Sequence, residues 1–289
     1  MRTEAEYRQL INENLEAQLH SLGDIPEKLR EAMCYSLLAG GKRLRPLLLL
    51  AACETAGGAA EQVLPFACAL EMIHTYSLIH DDLPGMDNDD LRRGRPTNHK
   101  VFGEGLAILA GDGLLNAAME IALKASLGMA DLRGLRAAEA LARHAGVTGM
   151  IAGQTMDVTM EGSAPTPELV SYIHAHKTAD LLQAPVEMGL ILAGAGEPEL
   201  ALARVYGFHL GLAFQIMDDI LDVTGDPAIL GKNTGMDEKK LTWVALRGVD
   251  GAREDLAEHI RQAVDTLSEM PWDTSFLEEI TWENLSRVS

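Results

Sequence analysis

The sequence contains few aromatic, cysteine and basic residues. Phe, Trp and Tyr make up 4% of the 289 residues, and the only cysteines are Cys34, Cys53 and Cys68. The 24 Lys and Arg residues against 43 Asp and Glu residues give a formal charge of −19. This balance argues against a general nucleic-acid-binding protein, which needs a basic face, and against electrostatic docking to anionic lipid. An odd number of widely spaced cysteines in apolar surroundings predicts reduced, buried thiols and a cytoplasmic protein.

Uninterrupted hydrophobic runs are short. The apolar run at residues 47–53 is much shorter than a bilayer span, and Glu54 follows it. The N-terminal segment is charged and amphipathic, unlike a signal peptide. We therefore expect no membrane anchor.

What the sequence has in abundance is residues that favour helices. Hydrophobic residues account for 47% of the chain and are mainly Leu, Ala, Ile, Val and Met. They recur with helical spacing, and no alternating β-branched run bounded by a turn predicts a strand. We predict an all-α bundle forming a single domain over residues 1–289. The predicted helical segments include 67–79, 105–129, 132–160, 168–193 and 199–223.

An aspartate cluster ends a strongly apolar segment at two places. The second cluster, FQIMDDILD at residues 214–222, places Asp218 and Asp222 one helical turn apart on one face. Two carboxylates there repel each other and resist burial, and a bridging cation removes both penalties. Mg2+ suits such a pair, because it takes one or two carboxylates and completes its shell with water and phosphate oxygens.

The first cluster, HDDLPGMDNDD at residues 80–90, has a different spacing. Asp81 and Asp87 would lie on different sides of a regular helix. Pro84 and Gly85 lie between them and permit an irregular turn that returns Asp87 toward Asp81. The two clusters would then offer facing carboxylate pairs, as metal sites in bundle cores do. On the acidic residues alone, the alternative of two solvated helix ends stays open.

The scarce basic residues concentrate near these clusters. Arginine binds phosphate oxygens bidentately and lysine supplies a compact charge, so this concentration predicts a phosphate-bearing substrate. No GxxxxGK[ST] loop follows a strand, which excludes a Walker-type site. For Arg43 and Arg95, pairing with acidic residues at the surface is as good an explanation as phosphate binding. The basic segments are GGKRLRP at 40–46, LRRGRP at 91–96, GK at 231–232 and KK at 239–240.

These motifs, in this order, resemble those of the trans-polyprenyl diphosphate synthases, most closely the bacterial-type farnesyl diphosphate synthases. The resemblance covers the chain from about residue 35 to 255. It is specific because paired arginines follow the first aspartate motif and a Gly-Lys pair follows the second. Further matching segments are GQTMD at 153–157, HKT at 176–178 and LGKNTGMDEKK at 230–240.

The resemblance implies an isoprenoid-synthase-type helical bundle around a deep central cavity, a homodimer, and Mg2+-assisted prenyl transfer from an allylic diphosphate to isopentenyl diphosphate. The implied ligands of three Mg2+ ions are Asp81, Asp87, Asp218 and Asp222, with Asp82 and Asp219 in support. The implied isopentenyl diphosphate site is Lys42, Arg45, His74 and Arg93. The implied allylic diphosphate site is Arg92, Lys177, Lys232 and Lys240, with Thr178 and Gln215 beside the reacting carbons. Gln154 and Asp157 are expected to line the cavity.

The chain departs from the family pattern at two places. It has two residues fewer than the family between Asp237 and Lys240. We align Lys240 with the family lysine because Thr242 then falls into place, and Lys239 is the alternative. The C-terminal sequence LSRVS is less basic than the usual ending of the family.

Product length is expected to depend on Tyr76 and Ser77, which precede Asp81 on the same predicted helix. Tyr76 resembles the bulky cavity floor of farnesyl-producing members, and the small Ser77 leaves room for a ten-carbon intermediate. We therefore predict a fifteen-carbon product, farnesyl diphosphate. The main alternative is a geranylgeranyl diphosphate synthase. A class I terpene cyclase has little use for the GGKRLRP segment, and a non-catalytic synthase subunit would be expected to lack one aspartate cluster.

Overall fold

The chain is built almost entirely from helices. A computed structural model describes residues 1–225 and 240–285. The helices in this part are α1 (Glu4–His20), α2 (Glu27–Leu37), α3 (Leu44–Thr55), α4 (Ala60–Asp81), α5 (Asn98–Phe102), α6 (Glu104–Leu127), α7 (Arg133–Ala145), α8 (Met150–Thr159), α9 (Pro167–Ile173), α10 (Asp180–Ala193), α11 (Glu197–Thr224), α12 (Trp243–Ser268) and α13 (Ser275–Leu285). A π-helical turn, His174–Ala179, joins α9 to α10. The all-α prediction is confirmed.

A short β-hairpin follows the first aspartate cluster, and the prediction of no strand was wrong there. Strands β1 (Leu91–Arg92) and β2 (Arg95–Pro96) pair antiparallel. Between them, Arg93 has φ 54° and Gly94 has φ 73°. A type I′ turn requires positive φ at both of its central residues. Strands this short carry no periodicity that a sequence pattern could reveal.

Two predicted helical segments are interrupted. Segment 132–160 divides into α7 and α8 at Gly146 and Gly149. A Cβ on Gly149 would lie 2.2 Å from the carbonyl oxygen of His144, so a larger residue does not fit. Segment 168–193 contains the π-helical turn, which apolar periodicity does not reveal. Such turns occur frequently at functional sites.

A large hydrophobic core holds the helices together. Helix α10 packs against α3, α7 and α11, while α4 packs against α6, and α12 against α11. The leucines at 47–50 of α3 are almost completely buried, and burying each contributes about 1.5–3 kcal/mol. A Cβ on Gly189 of α10 would lie 2.5 Å from the carbonyl oxygen of Leu49, so α10 and α3 are in backbone contact. This packing fixes α3 and α4, whose ends carry the GGKRLRP segment and the first aspartate cluster.

The cysteines are unpaired, as expected. Cys53 and Cys68 are buried and Cys34 is half-buried. Burial raises the pKa of the Cys53 and Cys68 thiols to about 12. These thiols are therefore protonated and unreactive at neutral pH.

Within the described residues, helices α6 and α11 are long and apolar enough to cross a bilayer, by length and composition only. Of the apolar window of each helix, 44% is buried in α6 and 56% in α11. A core helix in a protein without membrane spans can have the same length and composition, so these two helices are weak evidence for a membrane span.

Candidate active site

The first aspartate cluster folds back on itself after α4. The backbone N–H of Asp87 donates a hydrogen bond to the carbonyl oxygen of Asp81 at 2.8 Å. The N–H of Asn88, whose φ is 53°, donates to the carbonyl oxygen of Leu83. The turn that begins at Pro84 therefore returns Asp87 to Asp81, as the sequence predicted.

The second aspartate cluster occupies the last turns of α11. Asp222 is buried and Asp218 is half-buried. The carboxylate of Asp219 accepts hydrogen bonds from the side-chain amide of Gln215 at 2.8 Å and from the backbone N–H of Trp243 at 2.6 Å. Asp219 therefore fastens the start of α12 to α11.

Lys240 brings the two clusters into one region of the bundle. Its Nζ lies 3.1 Å from Oδ1 of Asp87 in the first cluster. It also closely precedes Trp243, the residue bound to Asp219 of the second cluster. The predicted site residue Lys232 and the alternative Lys239 lie outside the described residues.

Asp81 and Asp82 lie among half-buried charged side chains. Burial raises the pKa of the Asp81 carboxyl to about 6, with Lys177 acting to lower it and Asp87 to raise it. Asp82 accepts a hydrogen bond from Nε of Arg92 at 2.9 Å, and burial likewise raises its pKa to about 6. Because burial disfavours the ionised form of each acid, a nearby cation stabilises both carboxylates.

The π-helical turn presents Lys177 and Thr178 next to the second cluster. Nζ of Lys177 donates to Asp157 of α8 at 2.5 Å. The Thr178 hydroxyl donates to the side-chain oxygen of Gln215 at 2.6 Å, and Gln215 in turn donates to Asp219. A chain of hydrogen bonds therefore runs from the turn into the second aspartate cluster.

Gly153 of α8 allows the π-helical turn to approach closely, because a Cβ there would lie 2.1 Å from the backbone nitrogen of Lys177. We expect Gly153→Ala to force the two segments apart and to lower the free energy of unfolding by about 1–3 kcal/mol, measured by urea denaturation. Gly105→Ala is the control, since a Cβ at Gly105 meets no atom within 4 Å; it should shift stability by less than about 1 kcal/mol. Equal effects of the two variants would contradict the close contact.

A second basic group consists of Arg45, His74 and Arg93. Nη1 of Arg45 lies 3.4 Å from Nε2 of His74, and Arg93 donates to the carbonyl oxygen of Gly40. Burial, followed by the charge of Arg45, holds the pKa of His74 well below its usual range, so its imidazole is neutral at pH 7. Among residues 1–225 and 240–285, no carboxylate pairs with Arg45 or Arg93, and the buried Nε of Arg45 has no hydrogen-bond partner. Lys42 lies exposed in the adjoining loop.

Arg43, for which a surface role was open, is buried instead, with 3% of its surface exposed. Its guanidinium donates to Glu71 at 2.7 Å, to Asn12 at 2.9 Å and to the carbonyl oxygen of Leu37 at 2.8 Å. These contacts fix the loop that carries the GGKRLRP segment. Sequence reasoning missed Glu71, although an acid in the apolar middle of α4 requires a partner. Arg95, in contrast, is exposed.

Tyr76 is buried on α4, on the turns that lead to Asp81. Its ring meets the ring of His80 edge-on, with 5.7 Å between centroids, and Nε2 of His80 lies 3.1 Å from the carbonyl oxygen of Ile108. Within the described residues, the Tyr76 hydroxyl has no hydrogen-bond partner. The Ser77 hydroxyl donates to the backbone of its own helix. The Tyr76 ring is therefore braced against α6 through His80.

The described part of the chain contains no group of three or more His, Cys, Asp or Glu residues arranged to hold a metal ion by themselves. Pairs of carboxylates are present instead, in the two aspartate clusters. Such pairs suit Mg2+, which shares its coordination shell between protein, water and substrate phosphate.

Comparison with known protein families identifies the family of this chain. The family model described as polyprenyl synthetase matches residues 26–272. The chain belongs to the polyprenyl synthetase family. The resemblance noted in the sequence is thus confirmed, and the chain is a prenyltransferase that makes prenyl diphosphates.

Relatives in this polyprenyl synthetase family make products of different lengths. The farnesyl diphosphate synthase of Geobacillus stearothermophilus is 52% identical over 245 residues, covering 82% of this chain and 81% of the relative. The chloroplastic geranylgeranyl pyrophosphate synthase of Catharanthus roseus is 50% identical over 247 residues, covering 84% of this chain and 69% of the relative. This chain is therefore nearly equally identical in sequence to a farnesyl and to a geranylgeranyl diphosphate synthase.

Solved structures agree with the family assignment. A geranyltransferase from Helicobacter pylori, complexed with magnesium and isoprenyl diphosphate, has a TM-score of 0.85 and 31% identity, covering 100% of this chain and 98% of its own. A geranylgeranyl pyrophosphate synthase has a TM-score of 0.91 and 28% identity, covering 99% of both chains. The fold is the isoprenoid-synthase-type helical bundle that the sequence predicted.

Proposed function

We propose that the protein is a farnesyl diphosphate synthase, which joins isopentenyl diphosphate first to dimethylallyl diphosphate and then to geranyl diphosphate. The observation that carries this proposal is the half-buried guanidinium of Arg45, whose buried Nε lacks a hydrogen-bond partner within the described residues. A buried N–H donor without a partner is costly, so this group is suited to binding an anion. Two other basic residues, Lys240 and Arg92, contact the first aspartate cluster instead. Two anion sites fit the two diphosphates of a condensation.

The aspartate clusters fit Mg2+ by the chemistry of their donors. Asp81 and Asp87 supply carboxylate oxygens from the first cluster, and Asp218 and Asp222 supply them from the second. The pKa of Asp81, raised by burial to about 6, is consistent with a site that favours a cation. When bound by these carboxylates, magnesium (three ions by the family resemblance) would supply positive charge to offset that developing on the leaving diphosphate. The similar Helicobacter pylori geranyltransferase is complexed with magnesium and isoprenyl diphosphate, which supports binding of magnesium and a prenyl diphosphate by this chain.

The allylic diphosphate is bound by lysine and arginine side chains: Arg92, Lys177, Lys240 and, outside the described residues, Lys232. Thr178 and Gln215 hold their side-chain oxygens 2.6 Å apart. Their dipoles stabilise positive charge on the allylic carbon as its bond to oxygen breaks.

Isopentenyl diphosphate is held by Lys42, Arg45, His74 and Arg93. Neutral His74 donates a hydrogen bond without adding charge. The double bond of this substrate attacks the allylic carbon, and the departed diphosphate takes the proton that is then lost. Apolar surroundings exclude the water that would otherwise capture the cation.

Removing the charge of Arg45 should weaken the binding of isopentenyl diphosphate more than that of the allylic substrate. We expect Arg45→Gln to raise the KM for isopentenyl diphosphate about 10- to 100-fold, because a charged hydrogen bond contributes about 1.5–3 kcal/mol. The KM for the allylic substrate should change less than about twofold. Initial rates with each substrate varied in turn measure both values. Arg95→Gln, at an exposed arginine of the same region, is the control, and equal effects on both substrates would refute the assignment.

Farnesyl diphosphate is the proposed product because the buried ring of Tyr76 limits the space beside Asp81, while Ser77 leaves room for the geranyl tail. The near-equal identity to geranylgeranyl synthases favours a twenty-carbon product as the second candidate. Incubation with isopentenyl and dimethylallyl diphosphates and Mg2+, followed by chromatography of the dephosphorylated products, tests both. A fifteen-carbon main product supports the proposal, a twenty-carbon one supports the alternative, and a cyclic hydrocarbon would contradict both.

We further propose a cytoplasmic homodimer in which residues 1–289 form one domain. Ile108, Leu109 and Leu123 expose apolar surface on α6, which supports burial against a second copy. Unpaired cysteines fit a reducing compartment. Light scattering coupled to size-exclusion chromatography tests the dimer, and a monomer at micromolar concentration would contradict it.

A further inference from the structure

A buried charged cluster adjoins the π-helical turn and takes no direct part in the proposed reaction. At its centre, His144 of α7 is 2% exposed. Nδ1 of His144 lies 2.7 Å from Oδ1 of Asp180, and Nε2 lies 2.8 Å from Oε2 of Glu187. Both ring nitrogens face carboxylate oxygens, so each must carry a proton for the two hydrogen bonds to form. Nη1 of Arg143 also lies 3.3 Å from Nε2, but the two carboxylates outweigh this cation and favour an imidazolium.

Further cations support the carboxylates of this cluster. Glu187 also accepts hydrogen bonds from Arg143 at 3.0 Å and from Arg204 at 2.9 Å. Burial acts to raise the pKa of Glu187, but the hydrogen bonds from His144, Arg204 and Arg143 outweigh it and lower the pKa to about 2. Burial likewise opposes ionisation of His144, yet its hydrogen bonds to Asp180 and Glu187 raise its pKa. The cluster is therefore ionised and mutually satisfied.

Asp180 connects the cluster to the π-helical turn. It is the first residue of α10 and directly follows the turn. Its second oxygen, Oδ2, lies 2.8 Å from Nδ1 of His176, which is inside the turn. A single carboxylate therefore binds the turn through His176 and α7 through His144. Lys177 and Thr178 lie along the chain between His176 and Asp180, which are joined by this contact.

We propose that His144 and Asp180 are positioning residues, which hold the π-helical turn so that Lys177 and Thr178 face the allylic diphosphate. A π-helical turn is rare, so tertiary contacts must maintain it against the regular α-helix. The pair of His144 and Asp180 does so, because an α-helical shift of the turn would separate the buried imidazolium from its carboxylate partner. The inference rests on the proposed function, which assigns the allylic diphosphate to Lys177.

Asp180→Asn tests the proposal, because it keeps the shape of the side chain and removes its charge. We expect the KM for the allylic substrate to rise about 10- to 100-fold, since small misplacements of a binding group have effects of this size. The KM for isopentenyl diphosphate should change less than about twofold. Arg204→Gln is the matched control, because Arg204 binds the same cluster through Glu187 but does not contact the turn. It should change either KM less than about twofold.

The proposal would be overturned if Asp180→Asn and Arg204→Gln both raised the KM for both substrates, and if these increases followed the decrease in melting temperature of each variant. The cluster would then have only a structural role. His144→Gln serves as a second variant, since it retains one donor and should raise the allylic KM by a smaller factor; an unchanged KM would contradict the proposal.

A readout without turnover is the 15N NMR spectrum of the His144 ring in the wild-type protein. Two protonated ring nitrogens at pH 7.5 are expected, and a neutral tautomer would overturn the assignment. If the wild type forms no prenyl product, the proposed function fails, whereas the NMR result still decides the charge of His144.

Discussion

Asp218→Asn is expected to lower kcat about 100- to 1,000-fold, the range seen when one group that stabilises transition-state charge is removed. The substitution removes one carboxylate of the pair with Asp222 and so weakens the hold on magnesium beside the leaving diphosphate. The Asp218 carboxylate also attracts the guanidinium of Arg45, so the stability of the metal-free variant has to be compared with that of the wild type. Steady-state rates across a Mg2+ titration, with thermal unfolding of the same samples, separate these effects.

The control for this substitution is Asp250→Asn, at an exposed aspartate on α12. Its kcat should stay within about twofold of the wild type. A kcat near that of the wild type for Asp218→Asn at all Mg2+ concentrations would contradict the assigned role. So would a loss of activity that merely follows unfolding.

Tyr76→Ala should convert the enzyme from a fifteen-carbon to a longer-chain synthase. The Tyr76 ring is 6% exposed and braced by His80, so its removal opens space along α4 beside Asp81. Products of twenty carbons or more should become the main species in product chromatography. Truncation of a buried aromatic ring also lowers the free energy of unfolding by about 3–5 kcal/mol, so the assay is run well below the melting temperature.

Tyr76→Phe is the matched control for product length. The Tyr76 hydroxyl has no hydrogen-bond partner within the described residues, so phenylalanine keeps the ring and removes only an unsatisfied polar group. Its product length should equal that of the wild type and its stability should be equal or higher. An unchanged product spectrum for Tyr76→Ala would refute the assignment of this ring as the cavity floor.

The helices and the irregular turn of the first aspartate cluster could be predicted because their signals are local. Helical spacing of apolar residues reports the buried face of α4 and α11 directly. Pro84 and Gly85 between Asp81 and Asp87 indicate that the chain must leave the helix there. The clusters attract attention because like charges at the end of an apolar helix require compensation.

The features that sequence reasoning missed depend on contacts between distant segments. Arg43 resembles a surface residue in the sequence, and only the arrival of Glu71 from α4 makes its burial favourable. The π-helical turn likewise depends on His144 from α7, and on Gly153 of α8, which leaves room for it. Spacing along one segment carries no information about such partners.

The two aspartate clusters are proposed to hold magnesium against a bound diphosphate. Crystals grown with Mn2+ and inorganic pyrophosphate, measured at the manganese absorption edge, test this proposal most directly. Anomalous peaks are predicted beside the carboxylates of Asp81 and Asp87 and of Asp218 and Asp222, with pyrophosphate oxygens completing the coordination. Peaks elsewhere, or pyrophosphate bound with these carboxylates turned away from it, would contradict the account.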